Sequence, residues 1–143
     1  MTGAQNDPVY AFFVKAFGGD IRERPPRHFL ELAYEYAPSA ILYFSYLDPK
    51  TKTWGLYWLT DTGLGVITCQ GGGDDAEMSG DYRPLARIKS VKLQAVVEDK
   101  GFRAIASPKV RVQFDAGDDV ELPPPGYYSP EPEEFIAALL SRL

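Results

Sequence analysis

Apolar residues at helical spacing dominate the first part of the chain. Residues 8–17 are apolar almost all round, with Pro8 suited to the first helical turn and Asn6 or Asp7 available as the cap. After a proline-containing connection, a second short helix is predicted from apolar residues at i, i+3, i+4 and i+7: Phe29, Leu32, Ala33 and Tyr36. We therefore expect residues 1–37 to form an N-terminal helical extension.

The middle of the chain changes to short β-rich runs that are separated by turn signals. Val110, Val112 and Phe114 alternate with polar residues, which is typical of an antiparallel strand with one buried face. The predicted strands number seven: 41–47, 53–60, 64–69, 86–97, 101–106, 109–114 and 119–122. The glycine-rich and acidic stretch 70–84 is predicted to be a loop. Seven strands with short turns favour an antiparallel barrel or sandwich, so the expected fold class is α+β and mainly β.

One amphipathic helix is predicted at the end of the chain. Ser129 is a suitable cap, and Glu131, Glu133 and Glu134 complement the positive end of the helix dipole. The apolar stripe of this helix consists of Phe135, Ile136, Leu139, Leu140 and Leu143. Such a stripe needs a surface to lie against, and the open end of a barrel is the simplest one.

The first predicted hairpin, residues 41–59, is apolar or aromatic on both faces of both strands. A barrel strand turns one face toward its core, so the other face must be covered by another element. The two candidates are the N-terminal helices and a second copy of the chain, and these are compatible with each other. We assign partner binding to the aromatic residues of this hairpin: Tyr43, Tyr46, Trp54, Tyr57 and Trp58.

The charge of the chain narrows the classes of partner. It carries 15 basic and 20 acidic residues, which gives a net charge of −5. Binders of nucleic acids and anionic membranes take much of their affinity from an excess of Lys and Arg, so both classes are disfavoured. We see neither a signal peptide nor an apolar run long enough to span a membrane. We expect a cytoplasmic protein whose partner is a protein, either another chain or itself in a homo-oligomer.

Few side chains are candidates for catalysis. His28 is the only histidine, and Glu31 follows it at helical spacing, but a surface histidine is the favoured interpretation. Cys69 is the only cysteine, and it ends an apolar strand without charged neighbours, which favours packing over reactivity. No GxSxG motif supports a serine nucleophile. We expect no enzymatic activity and no cofactor.

Two charged clusters are candidates for ligand sites. The first is a set of oxygen ligands: Asp74, Asp75, Glu77 and Asp81. Its spacing does not fit an EF-hand loop, and no GK[ST] follows the glycines, so we expect a solvated loop without a metal. The second is a set of basic residues interleaved with acidic stretches: Arg83, Arg87, Lys89 and Lys92. This pattern is typical of a solvated face.

Four stretches carry a resemblance to a known family. "GLYWLTDTGLGVIT" is a strand that turns tightly into the next strand, and "PLARIKSVKL" is a loop that leads into a strand. "VRVQFDAGDDVEL" is a late hairpin, and "SPEPEEFIAALLSRL" is a closing helix. In this order they resemble the small bacterial pleckstrin-homology-like (PH-like) domains. The resemblance implies a seven-stranded antiparallel PH-like barrel closed by a C-terminal α-helix over residues 38–143, on which residues 1–37 pack.

The resemblance alone leaves the function open, because PH-like barrels bind many unrelated partners. Phosphoinositide-binding members use basic residues around the first hairpin. Here that hairpin offers Lys50 and Lys52, but the next outward positions are Thr53 and Gly55. Because the chain is also acidic overall, we do not expect phosphoinositide binding.

Three functions are consistent with the sequence. The first is a non-catalytic protein-binding or self-assembly module that uses the aromatic hairpin. The second is an acidic inhibitor of the immunity or antitoxin type, which would neutralise a basic protein by charge complementarity. The third is a small-ligand-binding protein with a pocket between the N-terminal helices and the sheet, lined by Tyr43, Trp54 and Trp58.

Overall fold

The structure is a computed structural model, and it describes residues 7–17, 25–48, 50–71, 76–101, 103–122 and 133–143. Its contacts divide the chain into two compact units, Met1–Arg83 and Pro84–Leu143. The N-terminal helices belong to the first unit together with the first strands. The boundary expected after residue 37 therefore lies inside that unit.

The first unit combines two helices with a four-stranded sheet. The helices are α1 (Pro8–Phe17) and α2 (Arg27–Tyr36). The strands are β1 (Leu42–Asp48), β2 (Thr53–Leu59), β3 (Gly63–Gln70) and β4 (Glu77–Pro84). They lie side by side in chain order in one sheet. The antiparallel pairing of β1 with β2 and of β2 with β3 confirms the two hairpins that the turn signals predicted.

A side-chain cap starts α1. The Asp7 Oδ1 atom accepts the backbone N–H of Val9 at 3.0 Å, and Arg27 Nη1 donates to Asp7 Oδ2 at 2.9 Å. These hydrogen bonds, and above all the one from Arg27, lower the pKa of Asp7. Of the two caps that the sequence offered, Asp7 is therefore confirmed.

The helix α1 buries apolar side chains on two sides. Phe12 and Ala16 belong to a buried cluster that includes residues of the sheet. Val9 and Phe13 pack with Leu30 of α2 in a second cluster. Burial on two sides explains why the apolar residues of α1 are not confined to a single stripe.

The stretch 70–84 contains the strand β4, which corrects the prediction of a loop. Glu77, Ser79 and Asp81 are exposed and have low strand propensity, so the sequence pattern did not reveal it. Met78 packs against the buried cluster of the first unit, and a stacked contact with Trp58 fixes the ring of Tyr82. Tertiary contacts at alternate positions therefore stabilise this strand.

Three strands and one helix follow in the second unit, after a short 3-10 turn at Leu85–Arg87. The strands β5 (Ile88–Lys100), β6 (Arg103–Phe114) and β7 (Val120–Leu122) form an antiparallel sheet in that order. The helix α3 (Glu133–Leu140) contacts β6. It buries Phe135, Ile136 and Leu139, whereas Leu143, also expected on the apolar stripe, is exposed. The predicted Ser129 cap lies outside the described residues.

The strand β6 is longer than predicted, which is a second correction. The sequence suggested two strands, 101–106 and 109–114, separated at Ser107 and Pro108. In the structure they form one strand, and Pro108 pairs with Ala95 of β5. Pro108 precedes residues 110–112, which are the β6 residues that pair with β7 in the described part of the chain.

The fold class is α+β and mainly β, as predicted. The strands are divided between a four-stranded and a three-stranded antiparallel sheet. Within the described residues neither sheet closes on itself, so the expected seven-stranded barrel is not confirmed.

Candidate functional site

One face of the first sheet lies under the N-terminal helices. This face carries Tyr43, Trp54 and Trp58, because Tyr43 pairs with Trp58 across the hairpin and Trp54 lies four residues earlier on β2. The ring of Phe12 meets Tyr43 edge-on at 5.5 Å, and Phe17 meets Trp54 edge-on at 6.1 Å. The α1 helix therefore covers the aromatic residues at one end of this face.

A hydrogen bond from its hydroxyl group fixes the position of Tyr43. Its hydroxyl donates to the backbone oxygen of Ala37 at 2.8 Å, which ties β1 to the end of α2. Burial raises the pKa of Tyr43, so this hydroxyl stays protonated as a donor.

The other face of the hairpin carries a separate aromatic group. Phe44, Tyr46 and Tyr57 stack on one another with ring centroids 5.9–6.5 Å apart. Phe44 and Tyr57 are buried, and burial together with the charge of Asp48 raises the pKa of Tyr46. The predicted partner-binding residues therefore form two groups on opposite faces, and their role in partner binding stays a prediction.

Glycines in the sheet make room for aromatic rings. Gly65 is the cross-strand partner of Trp58, and a Cβ atom at Gly65 would overlap the indole ring. Gly63 lies under the ring of Tyr82 in the same way. The two rings stack on each other with centroids 6.2 Å apart and an interplanar angle of 15°. The two glycines of β3 thus leave room for both rings to lie against the sheet. We call Trp58 and Tyr82 together the aromatic wall.

A cleft of about 600 Å³ opens between α2 and this wall. Its volume is in the range of small-molecule sites in proteins. The lining residues come from α2, from the sheet and from the loops that join them: Leu32, Tyr36, Ser39, Trp58, Thr60, Val66, Ile67, Met78, Ser79, Gly80, Asp81 and Tyr82. Of the three residues expected to line such a pocket, Trp58 does so, whereas Tyr43 and Trp54 pack under α1.

The cleft is apolar with a few polar groups at its rim. The Tyr82 hydroxyl and Thr60 Oγ1 lie 2.8 Å apart and share a hydrogen bond. Asp81, a carboxylate among the lining residues, accepts a hydrogen bond from Arg83 Nε at 2.6 Å. Among the described residues that line the cleft there is no histidine, cysteine or lysine. The aromatic rings and hydroxyl groups that are present are suited to stacking and hydrogen bonding.

The His28 and Glu31 pair is not brought together as a site. Both side chains are exposed, and Glu31 Oε1 accepts from Arg27 Nε at 3.1 Å. Arg27 also binds Asp7, so this surface network joins the beginnings of α1 and α2. These ion pairs are exposed and support the helix ends.

The charged clusters form no metal site in the described part of the chain. Asp74 and Asp75 lie outside the described residues. Arg87 pairs with Asp115 at 3.2 Å, and Lys89 and Lys92 are exposed, as expected for a solvated face. Among the residues that the structure describes, no helix has the length and apolarity needed to cross a membrane.

Cys69 is enclosed in the core of the first unit. Its side chain is 0% exposed and belongs to the cluster between the helices and the sheet. Burial raises the pKa of its thiol, which lowers the fraction of the reactive thiolate at any given pH. The interpretation of Cys69 as a packing residue agrees with this position.

We expect Cys69 to resist alkylation in the folded protein. Iodoacetamide at mildly alkaline pH should leave the native chain unlabelled over a period in which the urea-unfolded chain is labelled completely, because only unfolding exposes the thiol. Mass spectrometry of timed samples provides the measurement. Equal labelling rates for native and unfolded protein would contradict the buried position.

The comparisons with known proteins identify no relative. No family model matches the chain, and neither a curated protein nor a solved structure matches it. The resemblance to PH-like domains accordingly stays a prediction.

Sequence reasoning missed three of the aromatic and apolar cleft residues. Tyr36 was expected on the buried stripe of α2, and Met78 and Tyr82 were assigned to a loop. One signal could have revealed them. Gly63 and Gly65 lie on the same face of a strand, and such glycines often mark a close approach by another group.

Proposed function

We propose that this protein is a non-catalytic binding module, and that the cleft between α2 and the sheet holds a planar apolar ligand. The ligand class is a small molecule with one or more aromatic rings and a hydrogen-bonding group at one edge. This proposal develops the small-ligand hypothesis from the sequence and moves its site from Tyr43 and Trp54 to the residues around Trp58 and Tyr82.

The stacked pair Trp58 and Tyr82 is the observation that carries the proposal. Trp58 is only 5% exposed and therefore fixed, whereas Tyr82 is 48% exposed at the mouth of the cleft. Their rings are nearly parallel and rest on backbone without side chains. A rigid flat wall loses little conformational entropy when a ring stacks against it, so it favours planar ligands.

The helix side of the cleft supplies a second wall. Leu32 is half-buried, and Tyr36 is 64% exposed although the sequence pattern places it on the apolar side of α2. An exposed tyrosine facing a cleft provides apolar area and a hydroxyl group with few rotatable bonds. Together with the Tyr82 and Thr60 hydroxyls, it would hold the polar edge of the ligand.

The proposal can be tested with anilinonaphthalene sulfonate (ANS), a dye with a planar naphthalene ring and a sulfonate group whose emission rises on binding. We expect saturable binding to the native protein and a Tyr82→Ala variant that binds about tenfold more weakly, because the outer ring of the stacked wall is lost. Leu143→Ala is the matched control, since it removes an exposed apolar side chain in the second unit.

The control should bind ANS like the wild type, and circular dichroism should confirm that both variants fold. Two outcomes would overturn the proposal. One is unchanged affinity in Tyr82→Ala, and the other is dye binding that is lost in Leu143→Ala instead.

A further inference from the structure

The hairpin formed by β5 and β6 extends well past its neighbour in the second sheet. The two strands pair along their length from Ile88–Phe114 to Lys100–Arg103, apart from one irregularity near Ile88. Among the described residues, β7 pairs with residues 110–112 of β6. Within that part of the chain most of the hairpin is therefore a two-stranded ribbon, and such a ribbon is marginally stable unless a third strand or a partner joins it.

The strand β5 lies at the edge of this sheet and exposes apolar side chains. Leu93 is 70% exposed and Val97 is 64% exposed. Ala95 lies between them on the same face and is exposed as well. Among the described residues, the order β5-β6-β7 leaves β5 paired on one side. A long edge strand with an exposed apolar face is a template for pairing with another strand.

We propose that β5 pairs with β5 of a second copy of this chain. The two strands would run antiparallel about a two-fold axis at Ala95 and would join the two three-stranded sheets into one of six strands. The contact is isologous, because the same strand is used by both copies. This proposal concerns the second unit and goes beyond the cleft function, which belongs to the first.

The register is chosen by complementarity of both shape and charge. With the axis at Ala95, Leu93 of one copy lies opposite Val97 of the other, so the exposed apolar residues cover each other. Lys92 lies opposite position 98, which is a glutamate. Opposite charges on directly facing positions stabilise a strand pair, and both contacts occur twice by symmetry.

Neighbouring registers lack this complementarity. An axis at residue 96 would place Lys92 opposite another lysine at position 100, and Leu93 opposite an aspartate at position 99. An axis at residue 94 would place Lys89 opposite an aspartate at position 99, but it would leave Lys92 opposite the valine at position 96. Among these three registers, the Ala95 axis is therefore the one that pairs the exposed Leu93 with the exposed Val97 and also places Lys92 opposite an acidic residue.

The mass of the protein in solution tests the pairing. Light scattering over a dilution series should approach twice the 15.9 kDa of one chain at high concentration. Lys92→Glu and Glu98→Lys should each weaken the dimer roughly tenfold or more, because each replaces two attractive contacts by two repulsive ones. The double variant should restore dimerisation close to the wild-type level.

Lys89→Glu is the matched control, since Lys89 is exposed on the same strand but lies opposite a glycine at position 101 in this register. It should dimerise like the wild type. A wild type that stays monomeric at every concentration would overturn the proposal. So would a double variant that is no better than either single variant, because the Lys92 contact would then be absent.

A cross-link at the axis tests the register independently. Ala95→Cys should form an intermolecular disulfide under mild oxidation, because the two cysteines would face each other in neighbouring strands. Leu93→Cys is the control, since the two copies of residue 93 would lie four positions apart along the paired strands. Cys69 is buried and does not compete. Equal cross-linking of the two variants would overturn the Ala95 register.

Discussion

Replacing Phe29 by alanine is expected to destabilise the first unit by about 3–5 kcal/mol, which is the usual cost of removing a buried phenylalanine. Phe29 is 0% exposed and lies in the cluster between the helices and the sheet. Its ring meets Phe17 of α1 edge-on at 6.1 Å. The variant therefore loosens both helices and the aromatic face beneath them.

Urea unfolding followed by tryptophan emission measures this loss, because both tryptophans lie in the first unit. Tyr36→Ala is the matched control. It removes an aromatic side chain from the same helix at an exposed position, so its cost should stay near 0.5 kcal/mol. A Phe29→Ala variant that is no less stable than Tyr36→Ala would show that α2 does not pack on the sheet.

Gly65→Ala is expected to lower the free energy of unfolding, although replacing glycine by alanine in an extended segment ordinarily stabilises a protein. Neither Gly63 nor Gly65 has a positive φ. Alanine at either position therefore lowers the conformational entropy of the unfolded chain, which stabilises the folded protein by about 0.4–1 kcal/mol. At Gly65 the new methyl group overlaps the enclosed indole of Trp58, and overpacking costs about 1–3 kcal/mol. The steric cost exceeds the entropic gain.

Gly63→Ala provides the comparison, because its methyl group also overlaps a ring. That ring belongs to Tyr82, which is half exposed, so the new methyl group can displace it toward solvent at a lower cost than the enclosed indole of Trp58. We expect a change within about 1 kcal/mol of zero, since the entropic gain offsets the lost stacking. Thermal unfolding of both variants is the measurement. Equal destabilisation by the two substitutions would contradict the difference in enclosure between the two rings.

The sequence predicted the helices and the first hairpins because each has a strong local signal. The cap at Asp7 and the proline at position 8 define the start of α1, and the turn at Thr60–Gly63 defines the hairpin of β2 and β3. Alternating aromatic residues also showed that both faces of the first hairpin need cover. Local chemistry of this kind does not depend on the rest of the chain.

The strand β4 and the full length of β6 could not be predicted from local preference. Polar and glycine residues dominate β4, and it forms because Met78 and Tyr82 meet the core and the aromatic wall. Pro108 interrupts the strand pattern of β6 in the sequence, yet the strand continues through Pro108 in register with β5. In both cases tertiary context overrides propensity.

The cleft could be predicted only in part. Because both faces of the first hairpin are apolar, the N-terminal helices were one of two candidates expected to cover it. Trp58 was named among the residues that would line a pocket between them. The partition of the hairpin aromatics between two faces follows from the strand register, but the choice of which rings stay accessible depends on the position of α2. That position is set by Phe29 and Leu30, which bury two different sides of the helix.

The most direct test of the proposed binding cleft is an amide proton–nitrogen correlation spectrum titrated with ANS. The proposal predicts that the shifted resonances include the Trp58 indole and the amides of Gly80 and Tyr82, with no change at Leu93 or Val97. Shifts confined to β5, or uniform broadening without any change around Trp58 and Tyr82, would contradict a binding site between α2 and the sheet.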